Sequence, residues 1–289
     1  MANILVTGAN GQLGSELRKI GFTALDEVFF TDVTELDITD YPAVEHFVKE
    51  HEIDTIINCA AYTAVDRAEE EPELAEKINA QAVVNLARAA KKEDCLLIHI
   101  STDYVFDGTG TKPYTEKDKP CPVSVYGKTK LAGEEAILKS GCFYIIIRTA
   151  WLYSTFGNNF VKTMLRLASE RTELNVVADQ LGTPTYAADL ARAIVKIMDH
   201  DDRADLEGVY HFTNDGICSW YDFATEIVRL SGKECRVNAV TTAEYPTKTK
   251  RPAYSVLDKT KIKKMFEVEV PEWKEALGRC WKELESITC

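Results

Sequence analysis

The sequence places a tyrosine and a lysine four residues apart, in the segment Tyr126-Gly127-Lys128-Thr129-Lys130. On a helix, residues i and i+4 lie one above the other on the same face, so these two side chains would be neighbours. Reduction of a carbonyl group needs a proton donor at the oxygen while hydride reaches the carbon. A tyrosine becomes a useful acid at neutral pH when a nearby ammonium favours its phenolate. Tyr126 is therefore a candidate general acid, and Lys130 a candidate electrostatic partner that also holds a nicotinamide ribose.

Three glycines at intervals of three residues follow the first apolar run, at Gly8, Gly11 and Gly14. They lie between a predicted strand and a predicted helix. Glycines at these places permit a tight turn and a close approach of the backbone to a pyrophosphate, which then meets the helix N-terminus. The spacing and its position predict a dinucleotide-binding loop.

Asp32 lies at the end of the second predicted strand, eighteen residues beyond Gly14. An acid at about this spacing hydrogen-bonds the 2′-hydroxyl of the adenosine ribose in dinucleotide-binding folds. Its carboxylate would repel a 2′-phosphate, and no Arg or Lys lies between Asp32 and Asp40 to compensate. These residues favour NADH over NADPH.

The fourth predicted strand ends at two hydroxyl residues, Ser101 and Thr102. A hydroxyl at this strand end, from Ser101 or Thr102, would be able to hydrogen-bond a substrate carbonyl beside the tyrosine. His99 and His211 fall inside predicted strands, and we expect them to be packed core residues.

Short apolar runs alternate with amphipathic stretches through the first half of the chain. Leu13, Leu17 and Ile20 share one face of the helix that follows the first run. The runs are continuous rather than alternating, which is typical of strands covered on both faces of a parallel sheet. With right-handed crossovers, the pattern predicts an α/β fold with a doubly wound parallel sheet of the Rossmann type. The predicted elements are strands at 4–6, 28–30, 54–57, 96–100 and 144–147 and helices at 13–20, 40–49 and 80–90.

The second half is less regular and predicts a smaller substrate-binding unit. We expect a dinucleotide-binding Rossmann domain at 1–150, with later segments at about 174–213 returning to it. Residues 151–173 and 214–289 are expected to form the smaller, interleaved C-terminal α/β substrate domain. The predicted elements here are helices at 160–168, 187–198, 221–230 and 271–284, a strand at 174–177 and a late strand at 209–212 in the main sheet.

The 289 residues include 34 basic and 46 acidic side chains, a formal net charge of −12. A surface this acidic repels phosphate backbones, which argues against a nucleic-acid interface but not against a small anionic ligand in a local pocket. No apolar run approaches the roughly 18 residues that span a membrane, and the start lacks the features of a signal peptide. The eight cysteines contain no C-x-x-C pair and the five histidines no H-x-x-x-H. We therefore expect free thiols, no metal site and a cytoplasmic protein.

Four longer motifs resemble one known family. They are residues 7–14 (TGANGQLG), 60–66 (AAYTAVD), 101–108 (STDYVFDG) and 125–134 (VYGKTKLAGE), with shorter matches at 148–151 and 157–160. Together they resemble the extended short-chain dehydrogenase/reductases and, within them, the dTDP-4-dehydrorhamnose reductase family, over essentially the whole chain. The resemblance implies reduction of the C4 ketone of dTDP-4-dehydro-β-L-rhamnose, the last step to dTDP-L-rhamnose. The family is often tolerant of both NADH and NADPH, and from Asp32 we expect NADH to be at least as good.

The resemblance also implies roles for individual positions. Tyr126 would be the general acid, Lys130 its electrostatic partner and Thr102 the hydroxyl that positions the carbonyl. Substrate contacts are implied for Thr102, Asp103 and Trp151, and we add Arg251 because a guanidinium grips a diphosphate bidentately. The positions matching cofactor contacts are Gly8, Gly11, Gln12, Leu13, Gly14, Asp32, Asp37, Ile38, Ala60, Ala61, Tyr62, Tyr126 and Lys130. The family often has His where this chain has Tyr62.

Two other functions are compatible with parts of this pattern. A nucleotide-sugar dehydratase or epimerase would share the fold, but a dehydratase needs a further acid directly after Thr-Asp, where this chain has Tyr104. A non-catalytic regulatory subunit that binds NAD(P) would be free to lose the proton donor, yet Tyr126, Lys130 and Thr102 are all present. A simple reductase fits the residues better than either.

The sequence is compatible with a homodimer. Magnesium-bridged dimers occur among proteins of the family that the chain resembles. The resemblance leads us to expect an acidic residue near position 188, where this chain has Ala188. The sequence therefore does not support a bound magnesium ion.

Overall fold

The computed structural model describes residues 2–200 and 206–288, in which strands and helices alternate. The strands of this part are β1 (Asn3–Thr7), β2 (Glu27–Thr31), β3 (Thr55–Asn58), β4 (Leu96–Thr102), β5 (Phe143–Thr149), β6 (Leu152–Tyr153), β7 (Glu173–Val177), β8 (Leu181–Gly182), β9 (Thr185–Tyr186), β10 (Gly208–His211), β11 (Cys218–Ser219) and β12 (Arg236–Val240).

The helices of the same part are α1 (Gln12–Ile20), α2 (Tyr41–Glu50), α3 (Val65–Ala68), α4 (Pro72–Glu76), α5 (Ala82–Lys92), α6 (Val125–Ser140), α7 (Phe160–Glu170), α8 (Ala187–Met198), α9 (Trp220–Ser231), α10 (Thr260–Phe266) and α11 (Trp273–Thr288). A π-helical turn (Lys77–Gln81) leads into α5, and a 3₁₀ turn (Asp103–Val105) follows β4. None of the described helices is long and apolar enough to cross a membrane.

Six of the strands form one fully parallel sheet in the order β2-β1-β3-β4-β5-β10. The chain leaves β1 for β2 on one side and then crosses back to β3 on the other, so the winding direction reverses between β1 and β3. In open α/β sheets, ligands bind beyond the carboxyl ends of the strands at such a reversal. The predicted doubly wound α/β fold is confirmed, and so is the late strand that returns to the main sheet.

The strands of the sheet are buried on both faces because successive side chains point into two different apolar layers. In β5, Ile145 and Ile147 pack into the layer that contains side chains of α1, α8 and α10. Ile146, between them, packs into the layer that contains side chains of α2, α5 and α6. All three isoleucines are completely buried, and burial of such a side chain contributes roughly 1.5–3 kcal/mol. The centre of the sheet is therefore a rigid platform for the loops at its carboxyl edge.

A third apolar cluster lies among α7, α9 and α11. Here β7 pairs in parallel with β12 and not with the main sheet, because Leu174 and Val176 point into this cluster. Of the segment at about 174–213, which we expected to return to the Rossmann domain, β7 therefore lies outside the main sheet. The part from α8 onward packs beside that sheet, where α8 contacts α1. Neither β12 nor α10 was predicted from the sequence, and the division into two domains stays a prediction.

The helix α6, which includes both Tyr126 and Lys130, packs very closely on its neighbours. A Cβ atom at Gly133 would lie 2.3 Å from the carbonyl oxygen of Asn79 in the π-helical turn. A Cβ atom at Gly127 would lie 2.2 Å from the carbonyl oxygen of Tyr104 in the 3₁₀ turn. Only glycine permits this spacing, so these two positions fix how far α6 stands from the end of β4.

Two glycine-to-alanine substitutions in helices test this packing. Gly133→Ala should lower the free energy of unfolding by about 1–3 kcal/mol, because its methyl group must push α6 away from backbone atoms. Gly278→Ala is the matched control: Gly278 lies in α11 with no atom near its missing Cβ, so helix propensity should raise the free energy by up to about 1 kcal/mol. Urea denaturation of both variants measures the difference, and equal effects would contradict the close packing of α6.

Candidate active site

The glycine segment forms a cradle at the carboxyl end of β1. Gly8 has φ +64°, in the left-handed region, and a Cβ atom there would lie 2.6 Å from the backbone nitrogen of Ala60. A Cβ atom at Gly14 would lie 2.5 Å from Cα of Ala9. Gly11 precedes α1 and offers no side chain to cap it, so the first N–H groups of the helix remain for a ligand. A pyrophosphate fits this arrangement of close backbone and free amides.

A cavity of about 400 Å³ opens beside this cradle. Asp32 stands at its wall, where its carboxylate accepts from the N–H groups of Asn10 (3.1 Å) and Val33 (2.8 Å). Lys77, on the π-helical turn, lines the same cavity and was not found by sequence reasoning, because nothing local places that turn beside β2. The predicted cofactor contacts that line it are Gly8, Gly11, Asp32, Asp37, Ile38, Ala60 and Ala61.

A second cavity of about 520 Å³ shares Gly8, Gly11, Cys59 and Ala61 with the first, so the two form one cleft. It lies over the carboxyl ends of the central strands. The predicted residues that line this part are Gln12, Leu13, Thr102, Asp103, Tyr126, Lys130, Trp151 and Arg251. The structure thus brings the catalytic and substrate candidates together at one end of the cleft.

Tyr126 lies in the first turn of α6, with the Thr102 hydroxyl at the end of β4 as a polar neighbour. Ser124 begins the helix by accepting from the N–H of Gly127 (3.0 Å). The tyrosine is only 9% exposed, and burial raises the pKa of Tyr126 above its ordinary value, although the Thr102 hydroxyl opposes this change. We expected Lys130 to lower the pKa of Tyr126, but without ligand the effect of burial on this pKa is larger. The phenol therefore keeps its proton.

Lys130 lies one turn further along the same buried face of α6, as its spacing from Tyr126 predicts. Its Nζ donates to the carbonyl oxygen of Ile100 at 2.7 Å and lies 3.3 Å from Nε2 of His99. Burial lowers the pKa of Lys130 to about 8, an effect opposed by the carboxylate of Glu134. The amino group therefore changes charge near neutral pH rather than far above it.

Asp103 follows Thr102 and begins the 3₁₀ turn. The Thr102 hydroxyl donates to Oδ1 of Asp103 at 2.9 Å. Burial raises the pKa of Asp103 to about 6, although hydrogen bonds from Thr102 and Ser255 oppose the change. The acceptor that orients the Thr102 hydroxyl thus gains or loses its charge in the mildly acidic range.

Trp151 forms a flat wall of the cleft. Its backbone has φ +49°, a conformation that is rare for a bulky residue and costly unless its surroundings enforce it. The ring stacks on that of Trp220, with centroids 3.5 Å apart and planes 11° from parallel. A Cβ atom at Gly182 would lie 2.7 Å from the Trp151 ring, so close packing against Gly182 also restricts the position of the indole. Sequence reasoning missed Trp220, which comes from a distant helix.

Arg251 reaches the cleft from the C-terminal part of the chain. Its guanidinium forms an ion pair with Asp66 (2.7 Å) and donates to the hydroxyl of Tyr104 (3.3 Å). Only about a quarter of the side chain is exposed. The cation predicted to meet a diphosphate is therefore held in place by a carboxylate that the sequence analysis assigned no role.

Two loops meet above the glycine segment. The amide of Asn159 donates to Oε1 of Gln12 at 3.0 Å, and the Asn159 side chain also begins α7 by accepting from the N–H of Lys162. Gly157 and Asn158 line the cleft beside them. The match at 157–160 was the sequence signal for this loop, but it did not indicate the contact with Gln12.

Two predicted cofactor positions line neither part of the cleft. Gly14 packs against Ala9 in the cradle. The hydroxyl of Tyr62 donates to Glu71 at 2.5 Å, and its main chain is held by the side chain of Asn79. Within residues 2–200 and 206–288 no group of three His, Cys, Asp or Glu side chains is placed to hold a metal ion.

Comparisons with known proteins agree on one family. A family model described as the RmlD substrate binding domain matches residues 1–286. The spore coat polysaccharide biosynthesis protein SpsK of Bacillus subtilis is 44% identical over 286 residues, which cover 99% of each chain.

Solved structures give the same result. A dTDP-4-dehydrorhamnose reductase from Clostridium acetobutylicum is 48% identical, with a TM-score of 0.93 and coverage of 98% of this chain and 99% of the other. The dTDP-4-dehydrorhamnose reductase of Bacillus anthracis, solved in complex with NADP, is 41% identical, with the same TM-score and coverage. The chain therefore belongs to the RmlD family, that of the dTDP-4-dehydrorhamnose reductases.

Proposed function

We propose that the protein catalyses the NAD(P)H-dependent reduction of the C4 ketone of dTDP-4-dehydro-β-L-rhamnose to dTDP-L-rhamnose. The observation that supports this most directly is the meeting of Tyr126, Thr102 and Lys130 at one end of a cleft whose other end is the glycine cradle. The fold alone does not determine the chemistry, so we take the identity of the substrate from membership of the reductase family.

The cofactor, when bound, supplies the hydride that reaches C4 of the sugar. The amides at the start of α1 and the close backbone at Gly8 hold its pyrophosphate, and Asp32 accepts from its adenosine ribose. Tyr126 donates its phenolic proton to the ketone oxygen as that oxygen gains charge. When substrate binds, the Thr102 hydroxyl turns its one hydrogen from Asp103 to the ketone oxygen and holds that oxygen beside the phenol. Lys130 binds the nicotinamide ribose.

The sugar nucleotide occupies the remaining walls of the cleft. The Trp151 ring, stiffened by Trp220, lines the cleft with an apolar surface beside the deoxysugar. Asp103 orients Thr102 and accepts from a sugar hydroxyl. Arg251, already fixed by Asp66, binds the diphosphate through its remaining N–H groups.

The position directly after Thr102-Asp103 argues against a dehydratase. Tyr104 is partly buried there, its hydroxyl accepts from Arg251 and its ring packs edge-on against Tyr126. Burial raises the pKa of Tyr104 to about 12, so it supplies neither a carboxylate nor a ready proton for elimination. A regulatory subunit without activity is disfavoured because the whole set of candidate catalytic groups is assembled.

Tyr126→Phe should reduce kcat by roughly 10²–10⁴-fold, because the ring stays packed while the proton donor is lost. The assay follows oxidation of NADH by absorbance with dTDP-4-dehydrorhamnose as substrate. Tyr144→Phe, in the amino-terminal half of β5 and far from the cleft, is the control and should keep wild-type activity. Wild-type protein that turns over no faster than Tyr126→Phe would rule out the proposed reaction.

For the cofactor we propose that NADH is used at least as well as NADPH, since Asp32 faces the position of a 2′-phosphate while Lys77 partly compensates. Asp32→Asn should raise kcat/KM for NADPH relative to NADH by roughly tenfold, which corresponds to about 1.4 kcal/mol. Asp94→Asn, an exposed residue before β4, is the matched control. A large wild-type preference for NADPH, or a ratio unmoved in Asp32→Asn, would contradict the role given to Asp32.

The charge of Asp103 should appear in the pH dependence of the reaction. Its pKa is raised to about 6, so the carboxyl takes up a proton as the pH falls through 6 and then accepts less strongly from the sugar hydroxyl. We expect kcat/KM of the wild type to decline below that pH and the profile of Asp103→Asn to lack this inflection, at a lower overall rate. An inflection that persists in Asp103→Asn would assign it to another group.

A further inference from the structure

His99 lies in the middle of β4, completely buried, and has no part in the mechanism described above. Both of its ring nitrogens have a polar neighbour. Nε2 lies 3.3 Å from Nζ of Lys130, and Nδ1 lies 2.9 Å from the amide nitrogen of Asn58 at the end of β3. The prediction that His99 is a buried strand residue is correct, but the ring also joins two polar groups beneath the cleft.

The orientation of the Asn58 amide follows from its other partners. The backbone N–H of Ala60 lies 3.1 Å from one atom of this amide and can only donate, so that atom must be the oxygen. The hydroxyl of Thr7 donates to the same oxygen at 2.8 Å. The amide NH₂ of Asn58 therefore points at His99, and Nδ1 of His99 must accept from it.

This contact fixes the tautomer of His99. Burial, together with the nearby Lys130, lowers the pKa of His99 well below its ordinary value, so the ring is neutral. A neutral imidazole with an accepting Nδ1 has its hydrogen on Nε2. That Nε2–H is directed at Nζ of Lys130.

An ammonium group has only donors, whereas a neutral amine has one lone pair. Nζ of Lys130 already donates to the carbonyl oxygen of Ile100, and Nε2–H of His99 meets it from another side. The remaining groups that face Lys130 are Glu134, which favours the ammonium, and the thiol of Cys59, whose pKa burial raises to about 12. Glu134 is also the bidentate partner of the buried Arg148, which offsets much of its pull.

We propose that His99 is a positioning residue that acts through Lys130: its Nε2–H is accepted by the uncharged amine form, which lies between the ring and the Ile100 carbonyl, so His99 shifts Lys130 towards that form. The proposal deepens the reductase function and rests on it for the importance of Lys130. One N–H of the amine is left to face the cleft, where a ribose hydroxyl can accept it.

The tautomer is tested directly on the full-length protein without added ligand. In ¹⁵N NMR of imidazole-labelled protein, with His99 assigned by its loss in His99→Gln, we expect an unprotonated Nδ1 and a protonated Nε2. The resonances should show no imidazolium form between pH 6 and 9. A protonated Nδ1, or titration near the ordinary histidine pKa, would overturn the proposal, and only the assignment, not the measurement itself, uses a variant.

The effect on Lys130 is tested by its titration, followed by NMR of ¹³Cε-labelled lysine and assigned with Lys130→Met. Burial places the pKa of Lys130 at about 8, and donation from His99 should move the wild-type midpoint below that value. His99→Phe removes the donor and should raise the midpoint by roughly half a unit to one unit, the equivalent of one neutral hydrogen bond. His99→Gln, whose amide N–H can replace Nε2–H, should restore the wild-type midpoint, and His46→Gln, at an exposed position, should leave it unchanged.

Equal midpoints in wild type and His99→Phe would show that His99 only packs. The pH profile of kcat provides an independent comparison, since a structural role would lower the rate of His99→Phe without moving its inflection. If the wild type had the expected tautomer and midpoint but no reductase activity, the proposed function would fail while the inference about His99 stood.

Discussion

The close approach of β1 and β3 just beyond their carboxyl ends is the constraint on which the cleft depends. Gly8 and Ala60 bring their backbones so near that no side chain fits between them, at the point where the winding of the sheet reverses. This contact turns the chain sharply into α1 and leaves the helix N-terminus facing outward. A larger residue at position 8 would separate β1 from β3 and with them the two parts of the cleft.

The catalytic end depends on a second constraint, the charges buried beneath it. Glu134 and Arg148 are almost fully buried and bind each other bidentately, and the hydroxyl of Ser101 donates to the same carboxylate. Removing one partner from such a pair costs several kcal/mol because the other charge is left uncompensated. Since Glu134 lies on α6 and Arg148 on β5, the pair also fixes the height of α6 against the sheet, and therefore where Tyr126 and Lys130 stand.

The sequence was sufficient for features that depend on local chemistry. Apolar runs predicted the strands of the parallel sheet, the glycine spacing predicted the cradle, and the Tyr126–Lys130 interval predicted the helix that includes both residues. Each of these patterns lies within one element or one turn. Contacts between distant segments were not predictable in this way. The stacking of Trp151 on Trp220 and the pairing of Arg251 with Asp66 join residues far apart in the chain, and no pattern near any of them specifies its partner.

The net charge of −12 and the anionic ligands proposed here are reconciled by short-range contacts rather than by a basic surface. Of the cations lining the cleft, Arg251 is already paired with Asp66, and Lys130 is buried and close to losing its proton. Lys77 lines the same cavity as the carboxylates of Asp32 and Asp37. None of these cations creates a strong field outside the protein, so long-range attraction contributes little to binding. The helix N-terminus and the backbone amides act only at contact distance, and they are effective because the glycines let a phosphate come that close. Affinity in this cleft is therefore determined by how closely the backbone fits the phosphates, which explains how so acidic a chain can bind two anionic ligands.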